Sequence, residues 1–257
     1  MKRLFSISLV TLILLSIGFS ACSKSSSAAT TSFPGATYVV ASDATWPPFE
    51  SVNEQTKQLE GFDIDLIHAI ATDQQFNINV KNITWTALLA GMANGTYDAA
   101  ISSISITPDR QKQMLFSDPF LAAGQVVVVQ TSNTTIKSNA DLTGKKVGAQ
   151  VDTTGAMEID KIAGATNKSY DTIGLAFQDL INGQIDAVVA DAPMANFYVN
   201  KNPSKLKVVG SIFTSEQYGI AVSNTQPALL TKINAGLKDL KANGTFNTLL
   251  TKWGINS

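Results

Sequence analysis

Arg110 and Asp191 are the charged residues whose types and local placement could serve binding chemistry. Arg110 stands at the start of a predicted helix, with Thr107 placed as N-cap and Pro108 in the first turn. A guanidinium there presents a planar fork of N–H donors that suits a carboxylate. Backbone N–H groups near Ser105 and the helix start would add further donors. A surface ion pair with Asp109 or Asp118 is the competing use of the same side chain. Asp191 follows the apolar run Ala187-Val188-Val189-Ala190. A carboxylate at that position needs a helix cap, a salt bridge or a ligand to offset its desolvation. Other chemistry is sparsely provided for. The chain has one histidine, His68, and one cysteine, Cys22. No His, Cys or carboxylate spacing fits a transition metal, and no Gly-x-x-x-x-Gly-Lys-Ser/Thr loop is present to cradle a nucleotide. Neither a cofactor nor a nucleophilic catalytic apparatus is expected. A formal net charge of −1 leaves no basic field for nucleic acid.

The elements that must position these residues alternate between strand-like and helix-like runs. Tyr38–Ala41 reads as a buried strand, and residues 62–73 place Leu66, Ile67, Ile70 and Ala71 on one helical face, with Asp63 where an N-cap would sit. Residues 77–80 (strand), 86–93 (helix) and 98–102 (strand) follow. A second set comprises 146–149 (strand), 154–163 (helix), 174–181 (helix) and 186–190 (strand), before two terminal helices over 227–241 and 245–253. This β-α-β alternation predicts an α/β architecture with a largely parallel sheet. Asn94-Gly95-Thr96-Tyr97-Asp98-Ala99-Ala100-Ile101 recurs 88 residues later (182 against 94) as Asn182-Gly183-Gln184-Ile185-Asp186-Ala187-Val188-Val189. Chance recurrence of an Asn-Gly turn is one explanation; two similar lobes is the one favoured by the matching elements before each copy. The same offset aligns Ser103 with Asp191, both just past a strand's carboxyl end, where ligands sit in open α/β sheets.

Ahead of the body, Lys2-Arg3 precedes an uncharged apolar run from Leu4 to Ala21. A positive start, an apolar stretch and small residues at its end describe a secretory signal; a membrane-spanning helix would need a run of similar length. Phe19-Ser20-Ala21-Cys22 resembles a bacterial lipobox, with phenylalanine in place of the commoner leucine, so Cys22 is expected to be the lipidated first residue of the mature protein. Residues 22–36 are small and polar and read as a flexible tether.

Several stretches together resemble the family of extracellular solute-binding proteins of polar amino-acid ABC transporters (bacterial family 3). They are Ala41–Glu50 with Gly61–Leu66, Ile101–Arg110 with Phe116–Phe120, Asp141–Gly148, Asp186–Asp191, Glu216–Gly219 and Lys252–Gly254. The resemblance runs from about residue 37 to 254. It implies a two-lobed periplasmic-binding-protein-like fold of type II, with two hinge crossings, near Leu121–Val126 and Phe213–Gly219, and the ligand cleft between the lobes. The expected division is 1–21 signal peptide, 22–36 lipidated cysteine and tether, 37–122 with 216–257 lobe one, and 123–215 lobe two.

By the same resemblance the ligand is a polar amino acid, and the chain is a binding component rather than an enzyme. Arg110 and Thr154 would meet the α-carboxylate, and Asp191 with Ser103 the α-ammonium. Trp46 and Trp85 would sandwich the side chain, although core packing is the ordinary use of tryptophan. Asp43 would lie near the side-chain tip, which leans toward arginine, lysine or ornithine, with glutamine also compatible. Ser102, Ser105 and Thr153 complete the expected set. The implied partners are the amino acid, the permease subunits of an ABC transporter and, through the lipid, a bacterial membrane facing the periplasm or cell surface, with the protein itself monomeric. A dehydratase-like enzyme on this fold, with Asp43 or Glu50 as a protonated acid, and a sensor domain are the alternatives. His68, Asp63 and Asp65 are expected to serve only capping or surface roles. Phe116, Phe120 and Tyr218 are expected to be structural or near the hinge.

Overall fold

Extended runs that satisfy their backbone by pairing with one another set the two halves of this protein. The structure, a computed structural model, describes residues 32–255; the leader, Cys22 and most of the tether lie outside them. The chain first forms β1 (Thr37–Ser42), β2 (Thr45–Trp46), β3 (Glu50–Val52), β4 (Leu59–Glu60), α1 (Phe62–Asp73), β5 (Asn77–Asn82), α2 (Trp85–Ala93), β6 (Ala99–Ala100), α3 (Pro108–Gln111) and β7 (Leu115–Phe116). It continues through β8 (Leu121–Ala122), β9 (Gln125–Gln130), β10 (Lys146–Gln150), α4 (Thr154–Asp160), β11 (Thr166–Tyr170), α5 (Ile173–Ile181), β12 (Ala187–Asp191), α6 (Ala192–Lys201) and β13 (Leu206–Val209). It ends with β14 (Gln217–Tyr218), β15 (Ala221–Val222), α7 (Pro227–Ala242) and α8 (Thr245–Lys252).

Two five-stranded sheets result, in the orders β5-β1-β6-β15-β7 and β11-β10-β12-β9-β13. The sheets are largely parallel as expected, four of the five strands in each running the same way, with one antiparallel strand apiece. Both sheets are mixed: β15 runs against β6 and β7, and β9 runs against β12 and β13. A strand delivered by a crossover helix must run parallel to its predecessor. β9 and β15 are delivered instead by the crossings between the sheets, so that constraint does not apply to them. The crossings themselves touch, with β8 pairing antiparallel to β14 (Leu121 opposite Tyr218).

The internal recurrence is a structural repeat. Each copy carries a helix (α2, α5) through a turn into a strand (β6, β12), with Gly95 at φ 76° and Gly183 at φ 71°. Asp98 Oδ2 accepts the Val39 N–H at 2.8 Å, and Asp186 Oδ2 accepts the Lys146 N–H at 2.7 Å. Each acid thus ties the entering strand to its neighbour in the sheet (β1 or β10), which explains why the aspartate recurs with the turn.

Packing closes each sheet with helices. Ile67 and Ile70 of α1 are fully buried with Ile233 of α7, and the Phe62 ring meets those of Phe49, Phe120 and Phe246. In the second half, Val127, Val129, Val147 and Val189 pack with Ile159 of α4. Complete burial of side chains this size stabilises by about 1.5–3 kcal/mol each. The 154–163 helix stops at Asp160, after which Lys161 and Ile162 donate to carbonyls only three residues back.

Asp63 is not the N-cap of α1. Gly61 holds that position with φ 137° and ψ 171°, and Asp63 is the second helical residue, wholly buried. The N–H groups of Phe62 and Asp63 donate to the carbonyls of Pro48 (3.1 Å) and Phe49 (2.9 Å), which pins the helix start to the loop before β3. A Cβ at residue 61 would lie 2.0 Å from the Phe49 carbonyl oxygen, so only glycine fits. Gly61→Ala is expected to cost about 3 kcal/mol or more in urea-induced unfolding, against about 1 kcal/mol for Gly144→Ala. At Gly144 φ is 74° and an added Cβ meets nothing within 4 Å.

Candidate binding site

β1, β6, β10 and β12 end at the same cleft, and the residues that follow them line it. The half built on the first sheet contributes Asp43, Trp46 of β2, Trp85 at the start of α2, the 102–105 loop and Arg110 of α3. The second contributes Gln150 at the end of β10, Thr153 and Thr154 at the start of α4, and Asp191 at the end of β12. All ten residues expected at a ligand site, Ser102, Ser103 and Ser105 among them, border this one cavity.

Arg110 is held from both sides. Thr107 caps α3, its hydroxyl accepting the Arg110 N–H at 3.2 Å, and Pro108 opens the helix. The guanidinium is buried: Nη1 donates to Ser105 O at 2.9 Å, and Nη2 crosses the cleft to Asp152 O at 3.2 Å. Its carbon lies 5.1 Å from the centre of the Trp85 ring, so that indole is used to orient the arginine. The surface ion pair does not form, since Asp109 binds Lys112 at 2.6 Å. Burial pushes the Arg110 pKa down, opposed by the carboxylates of Asp191, Glu216 and Asp152. A guanidinium has five N–H groups, so three remain for a ligand.

Asp191 lies across from it with no cap bond to α6. Its Oδ2 accepts the Tyr218 hydroxyl at 2.7 Å and its Oδ1 accepts the Gln125 amide. Burial raises its pKa to about 6, helped by the Glu216 carboxylate, while the bonds from Tyr218 and Gln125 and the charge of Arg110 restrain the rise. Gln125 also donates to the Thr154 hydroxyl at 3.1 Å, and Thr153 caps α4 through the Ala156 N–H.

Asp43 accepts from Thr45 Oγ1 at 3.0 Å and, across the cleft, from Gln150 Nε2 at 2.9 Å; burial raises its pKa. The indole N–H groups of Trp46 and Trp85 are buried without a protein partner. His68 lies exposed on α1, away from the cleft. Asp65 accepts both Lys252 Nζ and Trp253 Nε1 at 2.7 Å, clipping α1 to the end of the chain. Sequence reasoning missed Gln150, although it ends a buried strand just as Asp191 does. It also read Tyr218 as structural, because nothing local reveals that its hydroxyl reaches Asp191. Among the described residues no cluster of three or more His, Cys, Asp or Glu side chains could hold a metal, and no helix is long and apolar enough to cross a membrane.

The family model of bacterial extracellular solute-binding proteins, family 3, matches residues 38–256. The chain belongs to this family. It is 37% identical over 216 residues to ABC transporter arginine-binding protein 1 of Escherichia coli strain K12, covering 82% of this chain and 87% of that protein. It is 34% identical over 225 residues to a probable histidine-binding protein of Neisseria gonorrhoeae, covering 86% and 84%. Among solved structures, an ancestral arginine-binding protein bound to arginine superposes with a TM-score of 0.80 at 41% identity, covering 84% of this chain and 97% of the other. The fold of this solute-binding protein is therefore the two-lobed type II form, each lobe built on one five-stranded sheet, and the family is one of binding proteins.

Tyr218→Phe removes a donor that holds the Asp191 pKa down. Carboxyl-carbon NMR titration is expected to place Asp191 above its present value of about 6 in that variant. Because a raised carboxyl pKa means that the folded state binds a proton the unfolded state has released, stability falls as pH rises from the ordinary aspartate range to about 6. Tyr218→Phe should extend that fall to higher pH.

Proposed function

We propose that this family 3 protein is the extracytoplasmic substrate-binding component of an ABC importer for a polar amino acid, with arginine, lysine or ornithine, or else glutamine, as ligand. The observation that carries the reading is the pair of buried opposite charges, Arg110 and Asp191, brought to one cavity from different lobes. A free amino acid has a carboxylate and an ammonium only one carbon apart, and a site for it needs fixed partners for both. The three free N–H groups of Arg110, with the N-terminus of α4 at Thr154, would take the carboxylate. Asp191 and the Ser103 hydroxyl would take the ammonium. The side chain would then run between Trp46 and Trp85 toward Asp43 and Gln150, an arrangement suited to an aliphatic stem with a cationic or amide tip. The arginine- and histidine-binding relatives support this choice.

Lobes of 37–122 with 216–257 and of 123–215 would close over the ligand about the β8–β14 crossings. Bonds from Arg110 to Asp152 and from Gln150 to Asp43 already span the cleft and would persist in the closed state. Binding shifts the population toward closure by the ligand's differential affinity for that form. The closed protein, a monomer, would dock on the permease subunits while a lipid on Cys22 keeps it at the membrane surface. Glu50, the acid that a dehydratase-like reading calls on, lies behind Ser102 and does not line the cavity.

Calorimetric titration of protein freed of carried-over ligand, against the twenty amino acids, ornithine and citrulline, tests the reading. Tight binding of a basic amino acid or glutamine is expected. Arg110→Ala should weaken it by about 2–5 kcal/mol, from roughly thirty-fold to several-thousand-fold, and wild-type affinity in that variant would overturn the carboxylate role. With an Asp191 pKa of about 6 in the empty site, the ammonium must displace a proton at lower pH. Affinity should therefore fall about tenfold per pH unit below that value in the wild type. Intact-mass analysis of the membrane fraction should find diacylglyceryl on Cys22, and Cys22→Ser should release the protein in soluble form.

A further inference from the structure

Beneath the Ser102–Ser103 wall of the cleft lie two carboxyl groups with no access to solvent, Glu50 and Asp63. They come from the sequences Pro47-Pro48-Phe49-Glu50 and Gly61-Phe62-Asp63, which the carbonyl contacts at the start of α1 bring together. Each carboxyl has one oxygen that serves the cleft. Glu50 Oε1 accepts the Ser102 hydroxyl at 3.0 Å, and the Ser102 oxygen in turn accepts the Asp43 N–H at 2.9 Å. Asp63 Oδ2 accepts the Ser103 N–H at 2.6 Å and its hydroxyl at 3.4 Å. Ser103 has φ 48°, a left-handed conformation that a non-glycine residue holds only when its surroundings enforce it. The other two oxygens, Glu50 Oε2 and Asp63 Oδ1, have no N–H or O–H donor from the rest of the protein. Because their other oxygens are bound to the adjacent residues Ser102 and Ser103, the two carboxyls are neighbours behind the wall, and the charge of Asp63 acts directly on Glu50. Two carboxylates there would set like charges side by side out of water, with neither orphaned oxygen offered a donor.

We propose that Glu50 and Asp63 share one proton, carried on Glu50 Oε2 and donated to Asp63 Oδ1, and that this monoanionic pair positions Asp43, Ser102 and Ser103 for ligand binding. Both are positioning residues, since neither lines the cavity. The charge belongs on Asp63, whose Oδ2 receives the short bond from the Ser103 N–H. The titratable groups that act on the pair are Asp43 and the Tyr218 phenol, and neither brings positive charge. Burial and the adjacent carboxylate both raise the Glu50 pKa well above the ordinary range, consistent with a retained proton. Loss of the proton at alkaline pH would set two anions against each other behind the wall. The Ser103 backbone and the Asp43 loop would shift, and ligand affinity would fall.

The positioning role rests on the amino-acid reading above, whereas the protonation state does not. Infrared difference spectroscopy of the whole protein at neutral pH should show a protonated-carboxyl C=O stretch that disappears in Glu50→Gln. Absence of that band, or its persistence in the variant, would overturn the proposal whatever the ligand proves to be. Glutamine reproduces the protonated acid, donating to Asp63 and accepting from Ser102. Glu50→Gln should therefore bind arginine within about threefold of wild type at neutral pH, and should lose the wild-type decline in affinity at alkaline pH. Glu50→Ala should bind at least about tenfold more weakly. The same alkaline decline in Glu50→Gln as in wild type would overturn the coupling of the pair to the cleft. Should Glu50→Ala fail to fold, the infrared band and the Glu50→Gln pH profile decide the matter.

Discussion

A guanidinium kept out of water must find oxygen acceptors, and Arg110 finds them on both halves of the molecule. The Ser105 carbonyl belongs to the loop after β6, and the Asp152 carbonyl belongs to the turn between β10 and α4. Its remaining donors face a cavity whose far wall holds a buried carboxylate, Asp191. Neither charge is neutralised by a direct ion pair to the other among the described residues. Each is held instead by neutral groups: carbonyls and an indole face for the cation, a phenol and an amide for the anion. Neutral partners lessen the desolvation cost without cancelling the charge, so both remain available to a ligand of matching charges.

Topology makes this economical. Parallel strands deliver their carboxyl ends, and the loops after them, to one edge of a sheet. Two sheets facing each other edge to edge supply the loops after β1, β6, β10 and β12 to one cleft. The repeat centred on Asp98 and Asp186 shows the same device used twice, with the turn aspartate fastening the entering strand to its neighbour. The antiparallel strands β9 and β15 serve a different need. They let the chain pass between the sheets and return, leaving the paired β8 and β14 as the narrow connection about which closure can occur.

Polar groups are also layered behind the cleft. Asp191 is steadied by Tyr218, and the Ser102–Ser103 wall by Glu50 and Asp63, so the residues that face the cavity are oriented by residues that do not. A site able to discriminate among amino acids requires side chains that keep their positions when empty, and buried hydrogen bonds supply that rigidity.

The sequence by itself determined the α/β alternation, the helix start at Thr107-Pro108-Arg110, the repeat of turn and strand, and the polar residues placed after buried strands. All of these are local: periodicity, a cap or a turn dipeptide is written within a few consecutive residues. It was misleading at Asp63, where the cap preference of aspartate suggested a role that Gly61 fills, because the close approach of the Phe49 carbonyl is invisible to local pattern. Only the tertiary structure decided the contacts that join distant segments. Gln150 meets Asp43 across 107 residues, Tyr218 meets Asp191 across 27, and Ser103 meets Asp63 across 40. Strand direction in β9 and β15 was likewise set by the crossings. Such contacts carry no local signature, since a buried carboxylate or amide reads the same in sequence whichever partner the fold brings to it.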